Sequence, residues 1–128
     1  MQVSAQMQRP PTILLVEDDR GLRDFMATWL DAEGYGVRTA QNGREALTAL
    51  HEEIPAVMVV DLMMPVMGGA ELRRRIQSMP DVVEVPFILV TAEANAEQIG
   101  RDLDATAVVA KPFDAARLSA IIASHCRH

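Results

Sequence analysis

Apolar residues along this chain come in two rhythms. Five short stretches, residues 12–16, 35–40, 57–61, 86–90 and 106–110, are rich in apolar and β-branched residues. Three of them, 12–16, 57–61 and 86–90, are continuous enough to read as strands buried on both faces. The stretch at 35–40 mixes Arg38 and Thr39 with its apolar residues, which suits a strand near a sheet edge. Between the strands, apolar positions recur at helical spacing. Leu22, Phe25, Met26, Trp29 and Leu30 share one face of a helix over 20–33, with Asp19 placed to cap it and Gly34 to end it. Ala46, Leu47 and Leu50 mark a helix over 44–53, and Leu72 and Ile76 mark one over 70–79. A weaker helix over 92–103 has only Ile99 and Leu103 as large apolar residues and is expected to be the least stable. Asp114 caps a last helix that turns Leu118, Ile121 and Ile122 inward. Strand and helix therefore alternate five times, which predicts an α/β fold with a parallel sheet, right-handed crossovers and helices on both faces. Residues 1–11 lack periodicity and end in Pro10-Pro11, so they read as a mobile leader ahead of one domain over 12–127.

The third strand sets the chemistry. Val57-Met58-Val59-Val60 runs straight into Asp61, and Pro65 bars a central strand from continuing. Asp61 thus stands at the carboxyl end of a buried strand, where open α/β sheets bind ligands. Three other strands also end in polar residues that a packed core does not require: Asp18-Asp19, Thr91 and Lys111. Parallel strands bring those ends to one edge. Carboxylates gathered there repel, by on the order of 4 kcal/mol for unit charges about 4 Å apart at an effective dielectric near 20. A hard divalent cation such as Mg²⁺, together with Lys111, would neutralise them. A carboxylate can act as a phosphoryl nucleophile, and the transfer needs mainly alignment and charge neutralisation. Asp61 is read as a phosphoryl acceptor on these grounds.

Taken singly, each residue has a plainer role. Asp18 or Asp19 could cap a helix, Asp61 start a turn, Thr91 bond to nearby backbone and Lys111 lie in solvent. Their recurrence at successive strand ends favours a shared site. Arg73-Arg74-Arg75 reads as a solvated helix face rather than an anion site. His51, His125 and His128 lack metal-ligand spacing and are expected to be exposed; the methionines are gap fillers.

Charge and cysteine usage narrow the partners. The 128 residues carry a net charge of −6, which argues against direct contact with nucleic acid. Cys126 is the one cysteine, so no internal disulfide forms; it lies near the chain end and is assigned no role. Its solitude fits a reducing, cytoplasmic setting. The opening residues lack the basic-then-apolar pattern of a secretory signal, and no apolar run approaches the roughly 18 residues a membrane span needs.

Val16-Glu17-Asp18-Asp19, Asp61-Leu62-Met63-Met64-Pro65, Val90-Thr91-Ala92 and Lys111-Pro112-Phe113, in this order at strand ends, resemble the response regulator receiver domain of two-component signalling. The resemblance spans residues 12–127. It implies a flavodoxin-like (βα)5 three-layer sandwich with strand order 2-1-3-4-5. It implies phosphoryl transfer to Asp61 from a histidine kinase or histidine phosphotransfer protein, in a signalling switch rather than an enzyme. Asp18 and Asp19 would hold Mg²⁺, directly or through water, with Asp61 and the backbone carbonyl of Met63 completing the protein ligands. Thr91 would bond a phosphoryl oxygen, Lys111 would pair with Asp61 or the phosphoryl group, and the Lys111–Pro112 peptide would be cis. A downstream protein would read the surface formed by the fourth helix, fifth strand and last helix, and a phosphorylation-dependent homodimer is a further state the resemblance allows.

The chain departs from the family pattern at several places. Val108 stands three residues before Lys111, where the family usually carries a switch aromatic. Asp104-Ala105 replaces a common Gly-Ala, Gly68-Gly69 replaces the usual Asp-Gly, and Met63 and Glu93 occupy positions that tune dephosphorylation in the family. Val108 motivates an alternative, a receiver-like binding module acting without phosphorylation. A phosphatase of the aspartyl-phosphate type is disfavoured, since it needs a second acid where Met63 stands. Whether the chain acts alone or within a larger regulator or hybrid kinase stays open at this point.

Overall fold

The computed structural model describes residues 10–126. Most of the expected leader lies outside those residues, as do Arg127, the last residue of the expected domain, and His128. Five strands alternate with five helices: β1 (Thr12–Val16), α1 (Arg20–Ala32), β2 (Gly36–Ala40), α2 (Gly43–Glu52), β3 (Val57–Asp61), α3 (Gly69–Ile76), β4 (Phe87–Thr91), α4 (Ala96–Asp102), β5 (Ala107–Ala110) and α5 (Ala115–His125). All neighbouring strands pair in parallel, in the order β2-β1-β3-β4-β5. This is the flavodoxin-like arrangement expected above, with β2 at one edge and β5 at the other.

Side chains on successive strand positions point to opposite faces, and the two faces build two cores. Ile13, Leu15, Val57, Val59, Ile88 and Val90 pack with Met26 and Leu30 of α1 and Leu118 and Ile122 of α5. Leu14, Val16, Met58, Val60, Phe87 and Leu89 pack with Ala46 and Leu50 of α2 and Leu72 and Ile76 of α3. The three-layer sandwich follows from strands apolar on both sides.

Several local expectations need correction. Phe25 is 59% exposed rather than part of the inner face of α1. Tyr35 precedes β2, because its N–H bonds Leu30 O in the turn that closes α1. The fourth helix begins at Ala96 rather than Ala92, since Thr91 Oγ1 accepts the Glu93 N–H and fixes a turn there. Helix α3 ends at Ile76 in a tighter turn, with Met79 N–H bonded to Ile76 O. Cys126, close to the chain end, is nonetheless buried against the α1–α5 core.

Candidate functional site

The carboxyl edge of the sheet is assembled from four strand ends. The β1 ladder runs one residue past the strand, with Glu17 N–H donating to Ala40 O at 3.0 Å. That keeps Glu17 in register and turns it inward, where it is 3% exposed. The chain then leaves the sheet. Asp18 is exposed, and Asp19 Oδ1 accepts the Leu22 N–H at 2.9 Å as the cap of α1. Arg23 reaches back from α1 and donates to the carbonyls of Glu17 and Asp18 at 2.9 and 3.3 Å, fixing the loop from beneath.

Asp61 ends β3 and is 6% exposed. Its Oδ1 accepts the Met63 N–H at 3.4 Å. The loop that follows must turn tightly into α3, and Gly69 makes this fit. A Cβ at Gly69 would lie 2.7 Å from Asp61 O and 3.0 Å from Leu62 Cα, both backbone atoms that cannot yield. Thr91 ends β4, is 1% exposed, and accepts the Glu93 N–H at 3.1 Å. Lys111 follows β5, its N–H held by Thr91 O at 2.8 Å, and the Lys111–Pro112 peptide is cis.

The side chains meet at Lys111. Its Nζ donates to Glu17 Oε1 at 3.0 Å and to Asp61 Oδ2 at 3.2 Å. Glu17, Asp18 and Asp61 each offer a carboxylate oxygen, all within 4.8 Å of one another. Of the strand-end residues singled out from sequence, Asp18, Asp61 and Lys111 are therefore drawn together, with Thr91 at the adjacent strand end. Asp19 is not. The expected acid pair Asp18–Asp19 is replaced, in facing Asp61, by Glu17–Asp18, because the Asp19 carboxylate is committed to the helix terminus. The signal for Glu17 was present but masked by the two acids after it: the first residue after a buried strand keeps the strand's register.

Three carboxylates against one ammonium leave a surplus of negative charge. Burial pushes the Asp61 carboxyl up to about 6, the Glu17 charge adds to this, and Lys111 opposes it. Burial depresses the Lys111 ammonium, but Glu17 and Asp61 more than offset this and its pKa is raised. Such a donor set, all hard oxygens with two charges uncompensated, fits a small divalent cation such as Mg²⁺.

A model of the response regulator receiver domain matches residues 13–123. This chain belongs to that family. The receiver is 38% identical over 106 residues to the response regulator MprA of Mycolicibacterium vanbaalenii, covering 81% of this chain and 45% of that protein. It is 34% identical to the phosphate regulon transcriptional regulatory protein PhoB of Rhizobium meliloti, over 91% of this chain and 52% of PhoB. The receiver thus spans about half the length of those two relatives. An uncharacterised 14.6 kDa protein from Leptolyngbya boryana matches end to end, at 36% identity over 98% of this chain and 95% of that one. Among solved structures, the chemotaxis response regulator CheY4 of Vibrio cholerae superposes with a TM-score of 0.83 at 30% identity, covering 90% of this receiver and 98% of CheY4. Receivers of this family are signalling switches of two-component systems rather than classical enzymes. Among the described residues, no helix is long and apolar enough to cross a membrane.

Proposed function

We propose that this receiver takes a phosphoryl group onto Asp61 from a histidine kinase or histidine phosphotransfer protein, and that the modified state is read by a downstream protein. The observation that carries the reading is the bridging position of Lys111, 3.0 Å from Glu17 and 3.2 Å from Asp61, which ties three strand ends into one acidic notch. At neutral pH a carboxyl group titrating near 6 is mostly ionised yet more basic than an ordinary aspartate, which favours attack on phosphorus. The bond from an Asp61 oxygen to phosphorus forms as the bond from phosphorus to the donor nitrogen breaks. Lys111 offsets charge on the phosphoryl oxygens. Thr91 Oγ1 already accepts from Glu93 N–H, so its own proton is free to donate to a phosphoryl oxygen. Glu17, Asp18 and Asp61, with the Met63 carbonyl, would hold Mg²⁺. When bound, that ion supplies charge neutralisation for the incoming phosphoryl group.

Phe25 supports a protein donor. It stands exposed on a groove that it shares with Leu22, Pro112, Phe113 and the Lys111 stem, beside the phosphoacceptor. An apolar wall there suits the helix of a donor protein. Phosphorylation would draw Thr91 and Lys111 inward and alter the face made by α4, β5 and α5.

The test is acyl-phosphate formation with acetyl phosphate and Mg²⁺. Labelling that is labile to hydroxylamine and lost in Asp61→Asn is expected. No labelling, or equal labelling of the variant, would overturn the reading. Phe25→Ala should slow transfer from a protein donor while leaving acetyl phosphate labelling intact.

Val108 favours a second reading, a binding module indifferent to phosphorylation. It sits at the position of the family's switch aromatic and packs against the second core with no ring to rotate. Partner affinity would then be the same with and without beryllofluoride.

A further inference from the structure

Three arginines in a row open the last turns of α3, and they do not behave alike. Arg74 and Arg75 are exposed, and Arg75 pairs with Glu71 at 2.9 Å. Arg73 is 5% exposed. The solvated face expected for the whole run is therefore corrected at this residue. Its guanidinium lies 5.0 Å over the Phe87 ring. Nε donates to Leu103 O at 2.9 Å and Nη2 donates to Asp104 O at 2.9 Å, with the Asp104 carboxylate 4.0 Å away. Nη1 is buried without a partner. A buried cation with one unsatisfied nitrogen is a costly way to fill space, and leucine or methionine would pack there without that cost. What the cation gains is a grip on two carbonyls that no apolar residue could hold.

Those carbonyls belong to the end of α4. This helix has seven residues and no side-chain cap at Asn95, and its own buried residues are Ala96 and Gly100. It lies so close to β5 that a Cβ on Gly100 would overlap the Val108 side chain. Its final turn closes on Asp104, a non-glycine residue at φ 55°. The amino end of α4 is thus weakly fastened, and its carboxyl end is fastened from another helix.

We propose that Arg73 is a latch that holds the carboxyl end of α4 against α3 and so sets how readily the α4–β5 face rearranges. This deepens the switch reading above and rests on it. Arg73 is a positioning residue, acting through α4 rather than on the phosphoryl group.

The test uses hydrogen exchange on the whole chain without phosphodonor. The N–H groups of Leu103, Asp104 and Ala105 bond Ile99, Arg101 and Gly100 carbonyls, and they report on the latched turn. In Arg73→Met, which keeps the stem, and Arg73→Lys, which keeps the charge without the fork, these amides should exchange ~10-fold faster relative to those of β1 and β3. No change, or an equal rise in β1 and β3, overturns the latch. Beryllofluoride with Mg²⁺ gives the second arm. Arg73→Met should reach half-saturation at a lower concentration, because less free energy opposes the rearranged state. An unchanged midpoint overturns control of the rearrangement. A wild-type chain blind to beryllofluoride overturns the phosphoacceptor reading instead, and the exchange comparison still decides the latch.

Discussion

Asp61 sits under opposing influences, and its titration should be visible in stability. Its carboxyl is raised from 3.8 to about 6, chiefly by burial and then by Glu17. Between those values the folded chain holds the proton more tightly than the unfolded one, so stability falls as pH rises through that window. Asp61→Asn should therefore be more stable than wild type at pH 7 without divalent cations, by on the order of 1–2 kcal/mol. Urea midpoints should show the gap narrowing towards pH 4. A second residue stores strain of another kind. Val66 is a β-branched residue at φ 70°, 74% exposed, in a turn where Met67 N–H reaches back to Pro65 O at 2.8 Å. Val66→Asn, which tolerates that conformation, should gain roughly 1 kcal/mol in the same measurement. Asp61, Thr91 and Lys111 were readable because each is a polar residue on the end of an apolar strand. Glu17 was hidden by the two acids after it, which made a helix cap and a site ligand look interchangeable. Arg73 was hidden because its partners lie some thirty residues on, beyond any local pattern.

Elements were readable to within a residue or two wherever burial alone shaped them. The strands β1, buried beyond its first residue, and β3 and β4, buried throughout, are the examples. The errors fall where a side chain competes with the backbone ladder, as Thr91 does when it shortens α4, or where an apolar residue faces a groove, as Phe25 does. The junction of β3 with α3 is the least forgiving. Gly69→Ala would press a methyl group onto Asp61 O, so the strand end must shift. A destabilisation of about 1–3 kcal/mol is expected, together with slower acetyl phosphate labelling, read by thermal unfolding and by labelling rate. Gly68→Ala meets Leu62 O at 2.9 Å and should shift the same loop in the same direction.

At the scale of the molecule, two cores flank one sheet and the acidic notch lies on its rim. The alternation of elements announced a parallel sheet, but strand order is set by how crossovers pack and leaves no trace in local periodicity. It entered with the family resemblance, and the pairing bears it out. The cation site proposed above exists only in the folded notch, so Mg²⁺ should raise the melting temperature of wild type. The gain is about 2.7 kcal/mol at a hundredfold excess over Kd, and Asp61→Asn should lose most of it. Calorimetry across a magnesium titration checks this. The contact between Glu17 and Lys111 joins positions 94 residues apart. A polypeptide still emerging from the ribosome, with β5 inside the exit tunnel, would present its aspartate without the ammonium beside it. Competence for the phosphoryl transfer proposed above would then arrive only once β5 has joined the sheet.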